Sequence, residues 1–424
     1  MQRSAAPRPI LFDLTHLVSR LPRRPSSGID RIDLAYAGHF VSGSTAAALH
    51  YGLKRPHLIP NAEARNFVAL SASLWSGERC EAFRTLRDAL AATPGKAPTT
   101  PRANHKPAHR IKLSLRQLHG RLLHDRTLRI PDRAICLNVA QHLFEYAFFF
   151  DWLDRRDDLC AVFMLHDLLP IDFPEYFSAA NLAVFRRRLA TAIRHADVFL
   201  VSTEAVKARL ERELRQEGAR PRPIHVQPFA SPLEDETPFA SASAPSGYPY
   251  FVTLGTIEPR KNHLLLLHVW RRLVAQNRQA PRLVIVGARG WENEQVADIL
   301  DRGLSLKAHV VEISRLPSAD LAELRAGARA LLAPSFGEGY GLPVVEALAL
   351  GTPVVASDIP VFREVAQGRA TFLSPIDGLA WMKEILRLAE DDDYHAQRRA
   401  EARRFVAPTW GAYFDRISDF LASL

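Results

Sequence analysis

The sequence predicts an α/β protein built from two parallel sheets wound with helices. Short apolar runs alternate with amphipathic segments in each half of the 424-residue chain, which is typical of repeated strand–helix units. A stretch rich in proline, serine and alanine, residues 228–249, separates the halves. The length is roughly three times that of a 150-residue domain and therefore fits two large domains or three small ones.

The first half begins with the apolar run Ile10-Leu11-Phe12, which predicts a buried strand. After the turn Ser26-Ser27-Gly28, the pattern predicts a helix from Ile29 to Phe40. The later strands and helices of this half alternate in the order 159–165, 181–194, 197–201 and 203–216.

The second half restarts the alternation without a visible sequence repeat of the first. Its strands are predicted at the apolar runs 250–254, 283–286, 310–313, 330–333 and 353–356. We divide the chain into an N-terminal domain, a linker, a C-terminal domain and a last helical segment that packs back toward the N-terminal domain, at 1–235, 236–249, 250–407 and 408–424.

Composition narrows the class of protein. With 47% hydrophobic and 24% charged residues, the chain is typical of soluble globular proteins, which excludes disorder. Its three cysteines form no C-x-x-C pair, so we expect neither a disulfide framework nor a structural zinc site, and a reducing compartment fits best. No signal peptide and no apolar run of ~18 residues is visible, so we expect a cytoplasmic protein without a membrane span.

Positive charge is concentrated in one segment. Nine basic residues and one acidic residue fall between Lys96 and Arg129, and they account for most of the net charge of +9. We therefore expect no nucleic-acid partner. Within this segment, apolar residues recur on one helical face, so residues 109–124 predict a basic amphipathic helix.

The strongest motif is a glycine-rich turn, residues 337–341, followed by a predicted helix with Pro343 in its first turn. The amides of such a turn and the positive end of a helix favour an anion such as phosphate. Glu338 and Glu346 bracket the turn, and we place Glu346 in the first turn of the helix, where both carboxylates can accept hydrogen bonds from sugar hydroxyls. The alternative is a tight turn whose glutamate only complements the helix dipole.

A second motif, Gly255 to Asn262, lies between a predicted strand and a predicted helix, where open α/β sheets bind ligands. Its adjacent cations, Arg260 and Lys261, suit a diphosphate. The alternative is a solvated loop with a helix cap at Asn262.

Two weaker signals lie in the first half. His166, beside Asp167 at the end of a predicted strand, is able to donate a hydrogen bond to a substrate hydroxyl, although a lone histidine is more often structural. Gly28 belongs to a turn that suits close approach to a phosphate, but such a turn is weak by itself.

Residues 250–376 resemble the donor-binding domain of retaining GT-B glycosyltransferases of glycosyltransferase family 4, also called group 1. The matching pieces include LGTIEPRKN, LVIVGARGW and GEGYGLPVVEALALGTPVVASDIPVFREV, with the E-x7-E spacing of the family. In the first half, GIDR and HDLLPIDFPEYF are similar to this family as well. The resemblance implies a GT-B fold, with two Rossmann-like domains facing across a cleft.

The resemblance also implies roles for individual residues. Glu346 would hold the ribose, Lys261 and Arg260 would neutralise the leaving diphosphate, and His166 would contact the donor sugar near its reacting face. Many members carry arginine after the glycine of the first loop, where this chain has Thr256. The resemblance makes His166, Glu338, Lys261 and Arg260 the catalytic residues, and Glu338 with the amides of residues 339–342 would hold the donor sugar and diphosphate. The donor-binding positions are Gly28, Gly255, Thr256, Gly339, Tyr340, Gly341, Leu342 and Glu346.

The resemblance implies a retaining, metal-independent hexosyltransferase that uses a nucleotide-sugar as co-substrate and needs no cofactor. The variant TIEPRKN is similar to a mannosyltransferase-like branch, which favours GDP-mannose as the donor. The acceptor implied is a glycan or a polyprenyl-diphosphate-linked glycan of bacterial surface polysaccharide. We find no Asp-x-Asp motif in a suitable loop and interpret residues 391–393 as a solvated acidic run, so no metal is expected.

Three other functions remain open. The same fold can use a UDP- or dTDP-sugar, or the chain can be a non-catalytic GT-B scaffold subunit. A membrane-surface protein is the third, because the helix predicted at 109–124 can dock on anionic lipids and make the protein peripheral to the inner membrane. The alternative for this helix is a domain helix with a charged outer face.

Overall fold

The computed structural model describes residues 8–20, 28–42, 46–51, 56–76, 129–231, 248–276, 279–314 and 316–424. The amphipathic helix predicted at 109–124, the basic segment except Arg129, and most of the linker predicted at 236–249 lie outside these residues.

The N-terminal half contains a seven-stranded sheet in the order β3-β2-β1-β4-β5-β6-β7. All neighbouring strands are parallel except β2 and β3, which pair antiparallel at one edge. The strands are β1 Ile10–Asp13, β2 Ala46–Tyr51, β3 Pro56–Ile59, β4 Ile135–Asn138, β5 Cys160–Met164, β6 Val198–Val201 and β7 Ile224–Val226.

Six helices accompany this sheet in the described part of the chain, and two of them begin with a side-chain cap. Ser178 accepts a hydrogen bond from the Asn181 amide and Thr203 accepts one from the Val206 amide, which fixes these helix starts. The helices are α1 Thr15–Arg20, α2 Gly28–Ser42, α3 Asn61–Ser76, α4 Leu169–Asp172, α5 Ala179–His195 and α6 Glu204–Gln216.

The C-terminal half contains a six-stranded parallel sheet in the order β10-β9-β8-β11-β12-β13. Its strands are β8 Tyr250–Leu254, β9 Arg282–Val286, β10 Val310–Ile313, β11 Ala330–Ala333, β12 Val354–Ser357 and β13 Thr371–Leu373. The helices that follow the N-terminal half are α7 His263–Ala275, α8 Glu294–Arg302, α9 Ser318–Ala326, α10 Leu342–Ala349, α11 Pro360–Val365, α12 Gly378–Glu390, α13 Asp392–Ala402 and α14 Trp410–Ala422.

The predicted α/β class is confirmed, and both sheets have a point at which the strand order reverses. In the first sheet this point lies between β1 and β4, and in the second between β8 and β11. Open α/β sheets bind ligands at the carboxyl ends of the strands beside such a point. The motifs at His166, Gly255 and Glu338 all follow strands at these ends.

The last helix, α14, contacts the N-terminal half. The Tyr36 and Tyr413 hydroxyl oxygens are 2.5 Å apart, and the rings of His39 and Phe414 stack with centroids 4.3 Å apart. None of the helices in the residues listed above as described is long and apolar enough to cross a bilayer.

Candidate active site

The glycine-rich turn connects β11 to α10, as the sequence predicts. Gly341 has a φ of 90°, in the left-handed region that favours glycine, and directly precedes Leu342, the first residue of the helix. Glu346 therefore lies in the second turn of α10, and its predicted place in the first turn is wrong. The left-handed Gly341 delays the helix start, so Leu342 and Pro343 occupy its first two positions.

Glu338 is the anionic centre of this turn. One carboxylate oxygen accepts hydrogen bonds from Lys261 Nζ at 2.5 Å and from Ser335 Oγ at 2.7 Å, and the other accepts one from Arg260 Nη1 at 2.9 Å. Burial alone would raise the pKa of Glu338, but Lys261 and Arg260 outweigh it and hold the pKa at about 2. Glu338 is therefore ionised at neutral pH.

Arg260 and Lys261 lie on a short 3-10 turn after β8, and this loop is bonded to the glycine-rich turn. Arg260 Nη1 also donates to the Gly337 carbonyl at 2.7 Å, and the Phe336 amide donates to the Arg260 carbonyl at 2.9 Å. Asn262 caps nothing with its side chain. Its amide nitrogen donates instead to the carbonyls of Pro334 and Pro375. These contacts disfavour the alternative of a solvated loop.

Gly255 has a backbone conformation that favours glycine. It has a φ of 132°, and a Cβ atom placed on it would lie 3.1 Å from Lys261 Cε. The neighbouring Thr256 is exposed, and its methyl group lies where a Cβ atom on Gly290 would clash. The predicted donor-binding role of both residues stays a prediction.

Glu346 is 3% exposed and pairs with two arginines. One oxygen accepts a hydrogen bond from Arg31 Nη1 at 3.0 Å, and the other pairs with Arg325, which is itself 1% exposed. Sequence reasoning missed both arginines. Arg31 lies inside the GIDR motif, where only Gly28 was singled out, whereas nothing in the sequence around Arg325 indicates a buried ion pair.

His166 follows β5 and contacts a backbone carbonyl. Its Nε2 lies 2.7 Å from the Val139 carbonyl oxygen, and burial lowers the pKa of His166 to about 4, so the ring is neutral. Since a carbonyl only accepts, Nε2 carries the proton and Nδ1 is an acceptor. The predicted direction of the hydrogen bond is therefore wrong for this tautomer, because Nδ1 would accept from a substrate hydroxyl rather than donate to it.

The glycine-rich turn touches the N-terminal half through Gly339 and Tyr340. A Cβ atom on Gly339 would lie 2.4 Å from the His166 carbonyl oxygen, so only glycine fits there. The Gly339 carbonyl accepts a hydrogen bond from Ser202 Oγ at 3.3 Å. The buried Tyr340 hydroxyl donates a hydrogen bond to the Phe229 carbonyl at 2.6 Å, so this side chain anchors the turn. Only the backbone amide of Tyr340 is then left to contact a donor substrate.

Gly28 and Leu342 meet across the two halves. Gly28 is the first residue of α2, and a Cβ atom on it would lie 3.1 Å from Leu342 Cδ1 at the start of α10. The structure thus brings the starts of α2 and α10 together. Glu338 with its two cations, and also Glu346 and His166, lie around these helix starts. Their predicted contacts with a donor stay predictions.

The acidic run at 391–393 has a structural use and is not simply solvated. Asp391 caps α13 by accepting a hydrogen bond from the Tyr394 amide, and Asp392 pairs with Arg329 at 2.7 Å. Among the described residues, Asp151, Asp154 and His195 bring ligand atoms of metal-binding type together. Arg194 already contacts both of these carboxylates, which does not suit a second cation.

Comparison with known proteins identifies the same segment. Residues 234–405 match the family model of the glycosyl transferases group 1. The serotype-specific mannosyltransferase WbdA of Escherichia coli is 30% identical over 278 residues, which cover 62% of this chain and 34% of WbdA. The O-antigen chain mannosyltransferase B of Escherichia coli is 34% identical over 160 residues, which cover 37% of this chain and 42% of that protein. The chain thus spans about a third to two-fifths of the length of these relatives.

A solved structure extends the similarity to the whole chain. Sucrose-phosphate synthase from Thermosynechococcus elongatus superposes with a TM-score of 0.61 at 15% identity, over 98% of both chains, which shows a shared fold. The family match covers residues 234–405, and the whole chain shares the GT-B fold that the resemblance implies.

Proposed function

We propose that the chain transfers mannose from GDP-mannose, with retention, onto a glycan or a polyprenyl-diphosphate-linked acceptor of bacterial surface polysaccharide. The observation that carries this proposal is the ionised Glu338, held by Lys261 and Arg260 beside the start of α10. This arrangement lies in a segment that is similar to two proteins named as mannosyltransferases, and the choice of sugar rests on that similarity.

The proposed chemistry follows from where charge develops. When the bond between the sugar and the diphosphate breaks, negative charge builds on the diphosphate. The amides of residues 339–342, the start of α10 and the cations Lys261 and Arg260 would stabilise that charge without reorganising. Glu338 sets the position of both cations, and Glu346 would accept hydrogen bonds from the ribose.

Metal independence is part of the proposal, because two fixed cations and a helix start supply positive charge where the diphosphate would lie. Retention is proposed from the family resemblance, and we assign no covalent nucleophile. His166 would accept a hydrogen bond from the donor sugar through Nδ1.

The acceptor would enter from the N-terminal half. We propose a cytoplasmic location at the inner membrane, where a lipid-linked acceptor is found. The basic helix predicted at 109–124 would hold the protein on anionic lipids. This part of the proposal depends on charge pattern alone.

Thermal unfolding with GDP, UDP and dTDP, each in the presence of EDTA, tests the proposal. A ligand at 100 times its Kd adds ~2.7 kcal/mol to the free energy of unfolding, which is readily measured. We expect a shift with GDP that EDTA leaves intact and that Glu346→Ala abolishes, together with GDP release from GDP-mannose.

Other outcomes correct or overturn the proposal. A shift selective for UDP or dTDP would keep the site and replace the donor. A GDP shift that EDTA removes would contradict metal independence. If no nucleotide shifts the thermal unfolding midpoint, the proposed enzymatic function is overturned and a scaffold subunit is favoured.

A further inference from the structure

We propose that Arg31, in the N-terminal half, is a diphosphate-binding residue of the donor site that pairs with Glu346 while the site is empty. This inference rests on the proposed function, because it takes a sugar nucleotide as the ligand of the cleft. It adds to that proposal a cation from the opposite half and an exchange of partners on binding.

The placement of Arg31 comes from two helix starts that meet. Arg31 lies in the first turn of α2, three residues after Gly28, which contacts Leu342 at the start of α10. Arg31 Nη1 donates to Glu346 Oε1 at 3.0 Å. Glu346 is four residues into α10 from Leu342, a rise of about 6 Å. The guanidinium of Arg31 therefore lies within about one helical turn of the amides proposed for the diphosphate.

Exposure and partners distinguish Arg31 from the other cations nearby. Its side chain is 27% exposed, whereas those of Arg260 and Lys261 are 13% and 14% exposed and are held by Glu338. Arg325 is almost completely buried and holds the other oxygen of Glu346. When Arg31 leaves Glu346, this carboxylate keeps a positive partner. Arg31 is therefore the cation that exchanges at the smallest cost.

Binding of a nucleotide would drive this exchange. Ribose hydroxyls that donate to Glu346 compete with the Arg31 N–H group for Oε1. The displaced guanidinium then stands beside two phosphates, with which arginine forms strong charge-assisted hydrogen bonds. Thr256 lacks the positive charge that the family resemblance leads us to expect there, and Arg31 would supply a compensating charge from the other half.

Calorimetric Kd values for a nucleoside and its diphosphate test this role. The pair is guanosine and GDP, or uridine and UDP if the thermal panel selects uracil. In Arg31→Gln we expect diphosphate affinity to fall roughly tenfold, which corresponds to one charge-assisted contact of about 1.4 kcal/mol. Nucleoside affinity should stay equal or rise, because Arg31 no longer competes for Glu346.

Two further variants separate this role from a structural one. Arg31→Lys keeps the charge and should retain most of the preference for the diphosphate. Arg188→Gln removes an arginine from a different ion pair of the N-terminal half, with Glu145, and should change neither Kd. The thermal unfolding midpoint of each variant without ligand reports whether it folds.

The outcomes distinguish the two proposals. Suppose the wild type binds the diphosphate, and Arg31→Gln either weakens binding of nucleoside and diphosphate equally or changes neither affinity. Arg31 is then only a structural link, and this inference is overturned. If the wild type binds no nucleoside diphosphate at all, the proposed function fails and this inference fails with it.

Discussion

Glu338 combines burial with two positive neighbours, and this combination decides what its substitution does. Its side chain is 9% exposed, and its oxygens hold Lys261, Arg260 and Ser335. A carboxylate in such a position stabilises the fold only while it is charged, because a neutral Glu338 leaves the partly buried Lys261 without this counter-ion and leaves Arg260 with Glu258 alone. Its contribution to stability is therefore linked to pH.

We expect Glu338→Gln to lower the free energy of unfolding by about 3 kcal/mol at neutral pH, measured by urea denaturation. The amide has nearly the same shape as the carboxylate but carries no charge, so Lys261 loses its pairing with Glu338 and Arg260 keeps only Glu258, 2.5 Å from its Nη2. Glu145→Gln is the matched control, because Glu145 pairs with Arg188 in a more exposed place and should cost much less. Equal losses in the two variants would contradict this account.

The sign of the pH dependence follows from the depressed pKa. Glu338 has a pKa of about 2 in the fold against an ordinary value of 4.5, so its stabilisation is complete above about 4.5 and is lost as the pH falls toward 2. The difference between wild type and Glu338→Gln should therefore be constant near neutral pH and shrink below about 4.5. A difference that persists unchanged at the lowest pH would refute the linkage.

At this scale the sequence predicts which residues cluster but not how they pair. The turn, the two glutamates and the two cations follow from local spacing, since each lies after a strand that the apolar pattern already predicts. The pairs of Glu346 with Arg31 and Arg325 bring together residues 315 and 21 positions apart. The pair with Arg31 depends on how the two halves meet, and the pair with Arg325 depends on how α9 lies beside α10. No local pattern contains that information.

At the scale of elements, the glycine-rich turn fits against the N-terminal half only because residue 339 has no side chain. The backbone of Gly339 approaches the His166 carbonyl too closely for a Cβ atom, while Ser202 donates to the Gly339 carbonyl. The turn that would hold the diphosphate is thus shaped by contacts with the opposite half. A change at Gly339 should disturb both binding and interdomain packing.

We expect Gly339→Ala to lower the thermal unfolding midpoint and to weaken nucleoside diphosphate binding at least tenfold, because the new Cβ atom would lie 2.4 Å from a carbonyl oxygen. Forcing such a contact costs roughly 1–3 kcal/mol. Gly38→Ala is the control, since a Cβ atom there meets nothing within 4 Å inside α2. It should instead stabilise the protein by roughly 0.5–1 kcal/mol. If Gly339→Ala keeps the unfolding midpoint and the nucleoside diphosphate affinity of the wild type, the steric argument is disproved.

Strands were predictable where apolar residues are continuous, as in β5 and β9. The sequence analysis missed β2 and β3, which form the antiparallel edge of the first sheet. β2 is rich in alanine, which has little strand preference, and β3 begins with a proline, which only an edge position tolerates. Pairing with a neighbour decides such segments, so their own residues give little sign of it.

At the scale of the whole molecule, the two halves are joined by direct contacts at more than one place. Trp291 Nε1 donates to the Tyr176 carbonyl at 3.0 Å, and the rings of Tyr176 and Phe336 stack with centroids 5.2 Å apart. Glu364 of α11 accepts hydrogen bonds from the amides of Glu204 and Ala205, at 2.8 and 3.2 Å. These amides are the first two of α6, so a carboxylate of one half caps a helix of the other.

We expect Glu364→Ala to shift the protein toward a more open arrangement of its halves. Loss of a carboxylate at a helix start costs about 1 kcal/mol, which changes the ratio of closed to open molecules several-fold. The radius of gyration from small-angle X-ray scattering should rise, and a saturating nucleoside diphosphate should bring it back, because a ligand that touches both halves favours closure. Glu401→Ala removes a glutamate whose partners, Arg369 and Arg404, lie in its own half, so it should leave the radius unchanged. An equal radius in Glu364→Ala and wild type would mean that the remaining contacts hold the halves together without this cap.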